Sequence, residues 1–321
     1  MRILLTTTSF QDTPGPHHAY LEGSGFEIVR ARGPLEEGEI LKLVTEGGGV
    51  DGLLNGDDRI TAAVIDAGLP RLKVIAKYGI GLDSIDVPYA TSKRLPVLYT
   101  PGVNHTTVAE HTFGLMIALA KHFLEQVIAV RAGQWKRITG TELAGKTLAV
   151  LGLGRIGKEV VKRAVAFEMK PIGYDVYWDQ AFADRYGVRR CGTAEEAMKG
   201  ADVVSLHLNL SKETEGLIDR RRIEMMKKGA LLVNTARGGL VNEADVAEAC
   251  KSGRLGGYGT DVLVKEPMVV GHVFQGLENV VVTPHVGSRT FESVERQAMR
   301  AARNLVNFLT GGEDFVQANP F

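Results

Sequence analysis

Between Thr147 and Phe167 the sequence reads TLAVLGLGRIGKEVVKRAVAF: a continuous apolar run, a glycine turn, then an amphipathic segment. Gly152, Gly154 and Gly157 stand in G-x-G-x-x-G spacing, with Ile156, Val160, Val161 and Val165 at helical intervals. The hexapeptide alone is a weak signal; a strand before it and a helix after it make it strong. Gly152 permits a tight turn, Gly154 lets backbone approach a pyrophosphate, and Gly157 lets helix pack on strand. The helix N-terminus then offers N–H groups and the positive end of its dipole to a diphosphate. A second strand, PIGYD, ends at Asp175, 18 residues after Gly157. That is close to the roughly 20 expected for an acid that accepts hydrogen bonds from the adenosine ribose. A carboxylate there repels a 2′-phosphate, so the pattern points to NAD rather than NADP.

The rest of the chain has the same rhythm. ILLTT (3–7), FEIV (26–29), DGLLN (51–55), KVIAKY (73–78) and PVLYT (96–100) read as strands, with helical stretches such as LEEGEILKLVTE between them. After Pro101-Gly102, one long helix is expected from about His105 to Arg131, on the spacing of Val108, Phe113, Leu115, Met116, Leu119, Phe123 and Val127. A second βαβ series begins at Lys146, with strands in TLAVLGLG, KPIGYDV, ADVVSLHL, GALLVNTA, RLGGYGTDV and NVVVTPH. An amphipathic helix, Glu292 to Leu309, closes at Gly311-Gly312. At roughly 100–200 residues per domain, 321 residues suggest two domains. The expected fold class is α/β: two doubly wound parallel-sheet domains with a cleft between them.

Composition excludes several alternatives. Lys plus Arg and Asp plus Glu both total 38, so no charge excess points to nucleic acid or an anionic membrane. Two cysteines, Cys191 and Cys250, make no disulfide framework and fit a reducing cytosol. The start, MRILLTTTSF, reads as a strand rather than a signal peptide, and no run reaches membrane-span length without charges. A soluble cytoplasmic protein is expected, with no nucleic-acid or membrane partner and no metal.

Three later segments each set a polar group beside a strand end. NTARGG places Arg237 after LLVN, GTDVLVKEP carries Asp261 and Glu266, and VVVTPHVGS places His285 after an apolar run. In open α/β sheets ligands gather at carboxyl ends of strands. Hydride transfer at a carbon bearing a hydroxyl needs a proton acceptor, or a donor in reverse, and histidine suits that task near neutral pH. A neighbouring carboxylate favours imidazolium and orients the ring. Arginine binds a carboxylate through a planar fork. Together the three residues suit a 2-oxo or 2-hydroxy acid.

At these residues the chain resembles the D-isomer-specific 2-hydroxyacid dehydrogenases. KYGIGLDSID, NHTTVAEHTFGL, GTELAGKTLAVLGLGRIG, SLHLNLSKETEGLI, NTARGGLVNEADV, GTDVLVKEP and TPHVGS follow in the family's order and cover almost the whole chain. The cofactor half is most similar to the phosphoglycerate dehydrogenases within it. The resemblance implies a Rossmann cofactor domain (102–288) inserted in a flavodoxin-like substrate domain (1–101 and 289–321), with hinges near 101–105 and 285–290. It implies Arg237 as carboxylate clamp, His285 as acid/base and Glu266 as its support. Lys77, Tyr78, Gly79, Ile80 and Gly81 would line the substrate side. Gly152, Gly154, Arg155, Ile156, Gly157 and Asp175 would hold the adenine half of NAD. Leu208, Thr235, Ala236, Asp261 and Gly287 would lie along the cofactor, Asp261 near the nicotinamide amide. Homodimerisation through the 106–131 region is implied as well.

The sequence also departs from the family. Asn55 and Lys77 stand where phosphoglycerate dehydrogenases usually have arginines that help bind the substrate phosphate; Lys136 and Arg137 are possible substitutes. Ser84 replaces the usual Asn of the GxDNID stretch, and His207-Leu208-Asn209 lacks the Pro of His-x-Pro. The chain ends at Phe321, so serine feedback through a C-terminal domain is not expected. The readings in play are a phosphoglycerate dehydrogenase-like enzyme, a glyoxylate/hydroxypyruvate reductase, and, from another class, an NAD-sensing corepressor-like binding protein.

Overall fold

The computed structural model describes residues 1–321. They divide into two compact units, Met1–Asn104 with Arg289–Phe321, and His105–Ser288.

In the first unit, β1 (Arg2–Leu5), β2 (Glu27–Arg30), β3 (Gly52–Asn55), β4 (Val74–Lys77) and β5 (Val97–Leu98) form one parallel sheet in the order β2-β1-β3-β4-β5. That is a flavodoxin-like order. Every residue of β3 and β4 is buried, which is why both read as unbroken apolar runs rather than alternating ones. One face packs around Ile40, Val44, Ile60, Val64 and Ile85. The other is covered by the helix Phe291–Thr310, whose Ala298, Ala301, Ala302 and Leu305 pack with Ile3, Leu5, Leu54 and Val74. Thr290 caps this helix, and left-handed Gly311 ends it. The returning chain is stitched to β5 by Asn319, which accepts the Val97 N–H at 2.8 Å and donates to the Leu95 carbonyl at 3.0 Å. The expected strand over 96–100 shrinks to Val97–Leu98, because the Tyr99 amide bonds Val316 and the Tyr99 carbonyl accepts from Asn304.

The second unit holds seven parallel strands: β6 (Thr147–Leu151), β7 (Lys170–Tyr174), β8 (Arg189–Arg190), β9 (Val203–Leu206), β10 (Ala230–Asn234), β11 (Leu255–Thr260) and β12 (Val280–Val282). Their order is β12-β11-β10-β9-β6-β7-β8, a Rossmann sheet that reverses direction beside β6. Strand β8, two exposed arginines at the edge, carries no apolar signal and is absent from the sequence reading.

The single helix expected over 105–131 is two. His105–Ala120 is followed by a break at left-handed His122 (φ 51°), and Phe123–Arg131 leaves it at 64°. Apolar spacing continues across the break, so periodicity gives no warning of it. Met116 and Phe113 of the first segment are buried, while the second exposes Phe123, Leu124, Val127, Ile128 and Val130. No single helix is long and apolar enough to cross a membrane. Cys191 and Cys250 are buried and unpaired, and burial raises both thiols, Cys250 to about 12, so neither is poised as a nucleophile.

Candidate active site

The dinucleotide turn lies between β6 and the helix Arg155–Ala166, at the reversal of the second sheet. Gly152 has φ +97°, and a Cβ on it would meet the His207 carbonyl oxygen at 2.5 Å. A Cβ on Gly157 would lie 2.0 Å from the Gly152 carbonyl oxygen, so only glycine lets this helix start so close to the strand. Gly154 has nothing within 4 Å of the same position and is open for close approach of a ligand. Arg155 is exposed beside it, and Ile156 is half-buried.

At the end of β7 the Asp175 carboxylate accepts the Leu153 N–H of the turn at 2.6 Å and the Tyr177 N–H at 2.7 Å. Each oxygen keeps lone-pair capacity for a ribose hydroxyl. The next strand end supplies Ser205, whose hydroxyl pairs with His207 Nε2 at 2.8 Å. Burial pushes His207 down to about 3, so it stays neutral under the turn at physiological pH. Leu208 is half-buried against the core of this unit. A glycine cradle, a helix N-terminus and a ribose-facing acid fit a dinucleotide.

The polar residues of the later strands come together. His285 Nδ1 is 2.8 Å from Glu266 Oε2, and Glu266 Oε1 accepts the Leu263 N–H at 3.0 Å. The carboxylate can therefore take the Nδ1 proton and orient the ring. Both side chains are partly open to solvent. His285 sits in left-handed backbone, φ 53°, which turns it out of the strand direction.

Asp261, expected beside the nicotinamide, also holds that backbone. Its oxygens accept the Val286 N–H at 2.9 Å, the Gly287 N–H at 2.7 Å and the Thr283 hydroxyl at 2.6 Å. His111 Nε2 stands 2.8 Å from Thr283 Oγ1 and 3.4 Å from Asp261. Burial alone would raise the Asp261 carboxyl; the bonds from His111, Thr283 and the two amides outweigh it and hold the group below its ordinary range. A Cβ on Gly287 would come within 2.8 Å of this carboxylate. His111 and Thr283 escape sequence reasoning because their partners are distant in the chain. TPHVGS contains Thr283 and NHTTVAEHTFGL contains His111, but neither stretch shows that the two meet.

Arg237 follows β10 half-buried, its Nη1 donating to the Ala236 carbonyl at 2.7 Å. Ala236 is itself held by the Asn234 side chain at 3.0 Å, and the Thr235 hydroxyl is engaged with Thr112 at 2.8 Å. A Cβ on Gly238 would meet the Leu263 carbonyl carbon at 2.0 Å. The loop that follows Arg237 thus lies directly on the backbone that holds Glu266.

In the first unit, Lys77 ends β4 with its side chain only 2% exposed. Its ammonium donates to the Gly56 carbonyl and, at 2.6 Å, to Asp57. Asn55 is wholly buried, its amide donating to the same carbonyl at 3.0 Å. Tyr78 bonds the Asn55 carbonyl at 2.8 Å, and Gly79 (φ +129°) donates to the Thr100 hydroxyl at 3.0 Å. Burial raises the Tyr78 phenol far above its usual value, so it is no base. Ile80 and Gly81 continue this turn, half-buried.

A dinucleotide cradle and a carboxylate-oriented histidine on one sheet define a nucleotide-dependent oxidoreductase. A family model described as D-isomer specific 2-hydroxyacid dehydrogenase, NAD binding domain, matches residues 113–287. The glyoxylate reductase of Thermofilum pendens is 40% identical over 269 residues, covering 79% of this chain and 76% of that protein. The D-3-phosphoglycerate dehydrogenase of Methanocaldococcus jannaschii is 41% identical over 255 residues, 79% of this chain but 48% of that protein. The chain spans about half the length of that relative. The crystal structure of the TT0316 protein from Thermus thermophilus superposes with a TM-score of 0.90 at 38% identity, over 99% of this chain and 100% of that one. The chain belongs to the D-isomer-specific 2-hydroxyacid dehydrogenase family and is an NAD-dependent dehydrogenase.

Proposed function

We propose that the chain reduces small, unphosphorylated 2-oxo acids of the glyoxylate and hydroxypyruvate type to D-2-hydroxy acids. The observation that carries the substrate choice is the Lys77–Asp57 pair. The one cation at the ends of β3 and β4 that could replace the family's phosphate-binding arginines is buried, and a carboxylate neutralises it. Asn55 beside it adds no charge. A neutralised ammonium gives a substrate phosphate little to bind. Similarity to a glyoxylate reductase over three quarters of that protein's length supports the same reading.

NADH, when bound, supplies the hydride. Gly152, Gly154, Arg155, Ile156, Gly157 and Asp175 would hold its adenosine and diphosphate half, and Leu208, Thr235, Ala236 and Gly287 its remaining length. Asp261 acts on this reading by holding the 283–287 backbone. His285 Nε2 gives its proton to the carbonyl oxygen as that becomes the hydroxyl. Glu266 stabilises the imidazolium beforehand, and Arg237 clamps the substrate carboxylate. Tyr78, Gly79, Ile80 and Gly81 form the substrate-side turn of the first unit. In the oxidative direction neutral His285 takes the proton back. The protein acts as a homodimer in the cytoplasm.

The test is NADH oxidation with glyoxylate, hydroxypyruvate and phosphohydroxypyruvate. Turnover of the first two at kcat/KM equal to or above that of the third is expected. A large preference for phosphohydroxypyruvate would overturn the substrate choice. Absence of turnover with every 2-oxo acid would overturn the reaction and favour the corepressor-like reading.

A further inference from the structure

We propose that Glu243 is a positioning residue for the Glu266–His285 pair, acting through the loop from Leu263 to His272. This rests on the reading that His285 and Glu266 handle the substrate proton.

Glu243 opens the helix Glu243–Lys251, directly after its cap Asn242. Its side chain is 17% exposed, against 37% for Glu266. One oxygen accepts the Val264 N–H at 2.9 Å; the other lies 3.3 Å from His272 Nε2. His272 Nδ1 accepts the Phe274 N–H at 3.3 Å, which leaves the ring proton to Nε2, the nitrogen that faces Glu243. A single carboxylate therefore ties both ends of the loop. Beyond His272, buried Phe274 packs its ring 5.2 Å from that of Tyr258 and anchors the exit.

Between its ties the loop has little burial of its own. Val264, Met268 and Val269 are exposed, and Val270 is 96% exposed. With few apolar contacts to fix it, its conformation depends on the hydrogen bonds at its ends. Those ends matter because consecutive amides serve different glutamates. Leu263 N–H holds Glu266 at 3.0 Å, while Val264 N–H is held by Glu243 at 2.9 Å. A backbone shift that releases Val264 also moves Leu263, and with it the carboxylate facing His285. The same Leu263–Val264 peptide lies against Gly238, next to Arg237.

Only a carboxylate fits the position. One Glu243 oxygen accepts the Val264 N–H and the other faces His272 Nε2, so both meet N–H groups. Glutamine would turn an NH2 toward one of them. His272 cannot adapt by changing tautomer, because Nδ1–H would then face the Phe274 N–H.

The experiment compares pH profiles of reductive turnover, and NADH affinity, for Glu243→Gln, Glu266→Gln and the double variant. Glu243→Gln should lower kcat roughly tenfold and move the high-pH limb downward, in the direction of Glu266→Gln. NADH affinity should stay within about twofold, and the double variant should be no worse than Glu266→Gln alone. His272→Leu should reproduce the shift; it carries the same test if Glu243→Gln fails to fold. An unmoved limb in the folded variant, or effects that multiply in the double variant, would overturn the proposal. Those outcomes leave the reaction itself standing, whereas near-normal turnover of His285→Ala would remove the reading beneath it.

Discussion

Glu266 Oε2 lies 2.8 Å from His285 Nδ1, and its other oxygen is fixed at 3.0 Å by the Leu263 amide. The pair is partly open, so its coupling belongs to the modest range of about 0.2–1 kcal/mol. A carboxylate favours the protonated imidazole, and reduction needs a proton donor. Glu266→Gln should therefore move the high-pH limb of reductive turnover down by roughly 0.1–0.7 unit, with NADH affinity unchanged. His285→Ala should lose roughly 100- to 10,000-fold in turnover while still binding NADH. Arg237→Lys should mainly damage substrate use, because one ammonium cannot reproduce a two-pronged clamp. Steady-state kinetics across pH, with NADH titration of each variant, checks all three.

Asp175 should set the cofactor preference. Its carboxylate stands at the end of β7, where a 2′-phosphate would meet like charge, and it also braces the Leu153 and Tyr177 amides. Asp175→Asn keeps one acceptor for that bracing and removes the charge. The ratio of kcat/KM for NADH over NADPH should fall at least about tenfold, the value of some 1.4 kcal/mol of repulsion. An unchanged ratio would show that another group excludes the phosphate.

Most of the strands and the dinucleotide turn are legible in the sequence for a physical reason. Buried parallel strands are continuous apolar runs, and glycine spacing records backbone contacts at Gly152 and Gly157 that no side chain could survive. Arg237, Glu266 and His285 stand out because each follows such a run. What stays hidden depends on partners far apart in the chain. Nothing local in the sequence tells that Asp57 pairs with Lys77. Nothing near Asp261 in the sequence tells that Val286 and Gly287 bond its oxygens. His111 meets Thr283 across 172 residues. The break after Ala120 is hidden differently: left-handed His122 replaces the glycine or proline that usually marks a stop.

Helix Phe123–Arg131 should form a dimer contact. Phe123, Leu124, Val127, Ile128 and Val130 are each 45–62% exposed, and nearby Trp135 is 79% exposed. An apolar patch of this density on so short a segment marks an association surface. Light scattering should give twice the 34.7 kDa chain mass at micromolar concentration. Ile128→Glu should yield a folded monomer; a wild-type monomer would refute the contact.

Asp261 should make the catalytic backbone acid-sensitive. The group is 3% exposed, and burial by itself would raise its carboxyl. Hydrogen bonds from His111, Thr283, Val286 and Gly287 reverse the sign and leave it below the ordinary 3.8. A carboxyl lowered on folding contributes stability that is fully present above the ordinary value and is lost as pH falls through the folded one. The 283–287 backbone that carries His285 should therefore loosen below pH 3.8 and stay firm at neutral pH. Asp261→Asn separates this from general acid unfolding. Its amide can accept from Val286 or from Gly287 but turns an NH2 toward the other, and a lost charge-assisted bond is worth about 1.5–3 kcal/mol. At pH 7 the variant should melt several degrees lower than wild type and turn over more slowly. As pH falls below 3.8 the wild-type advantage in melting temperature should shrink, because protonated Asp261 also places a donor against the amides. A constant difference between the two proteins across that range would show that the carboxylate charge contributes nothing to holding His285 in place.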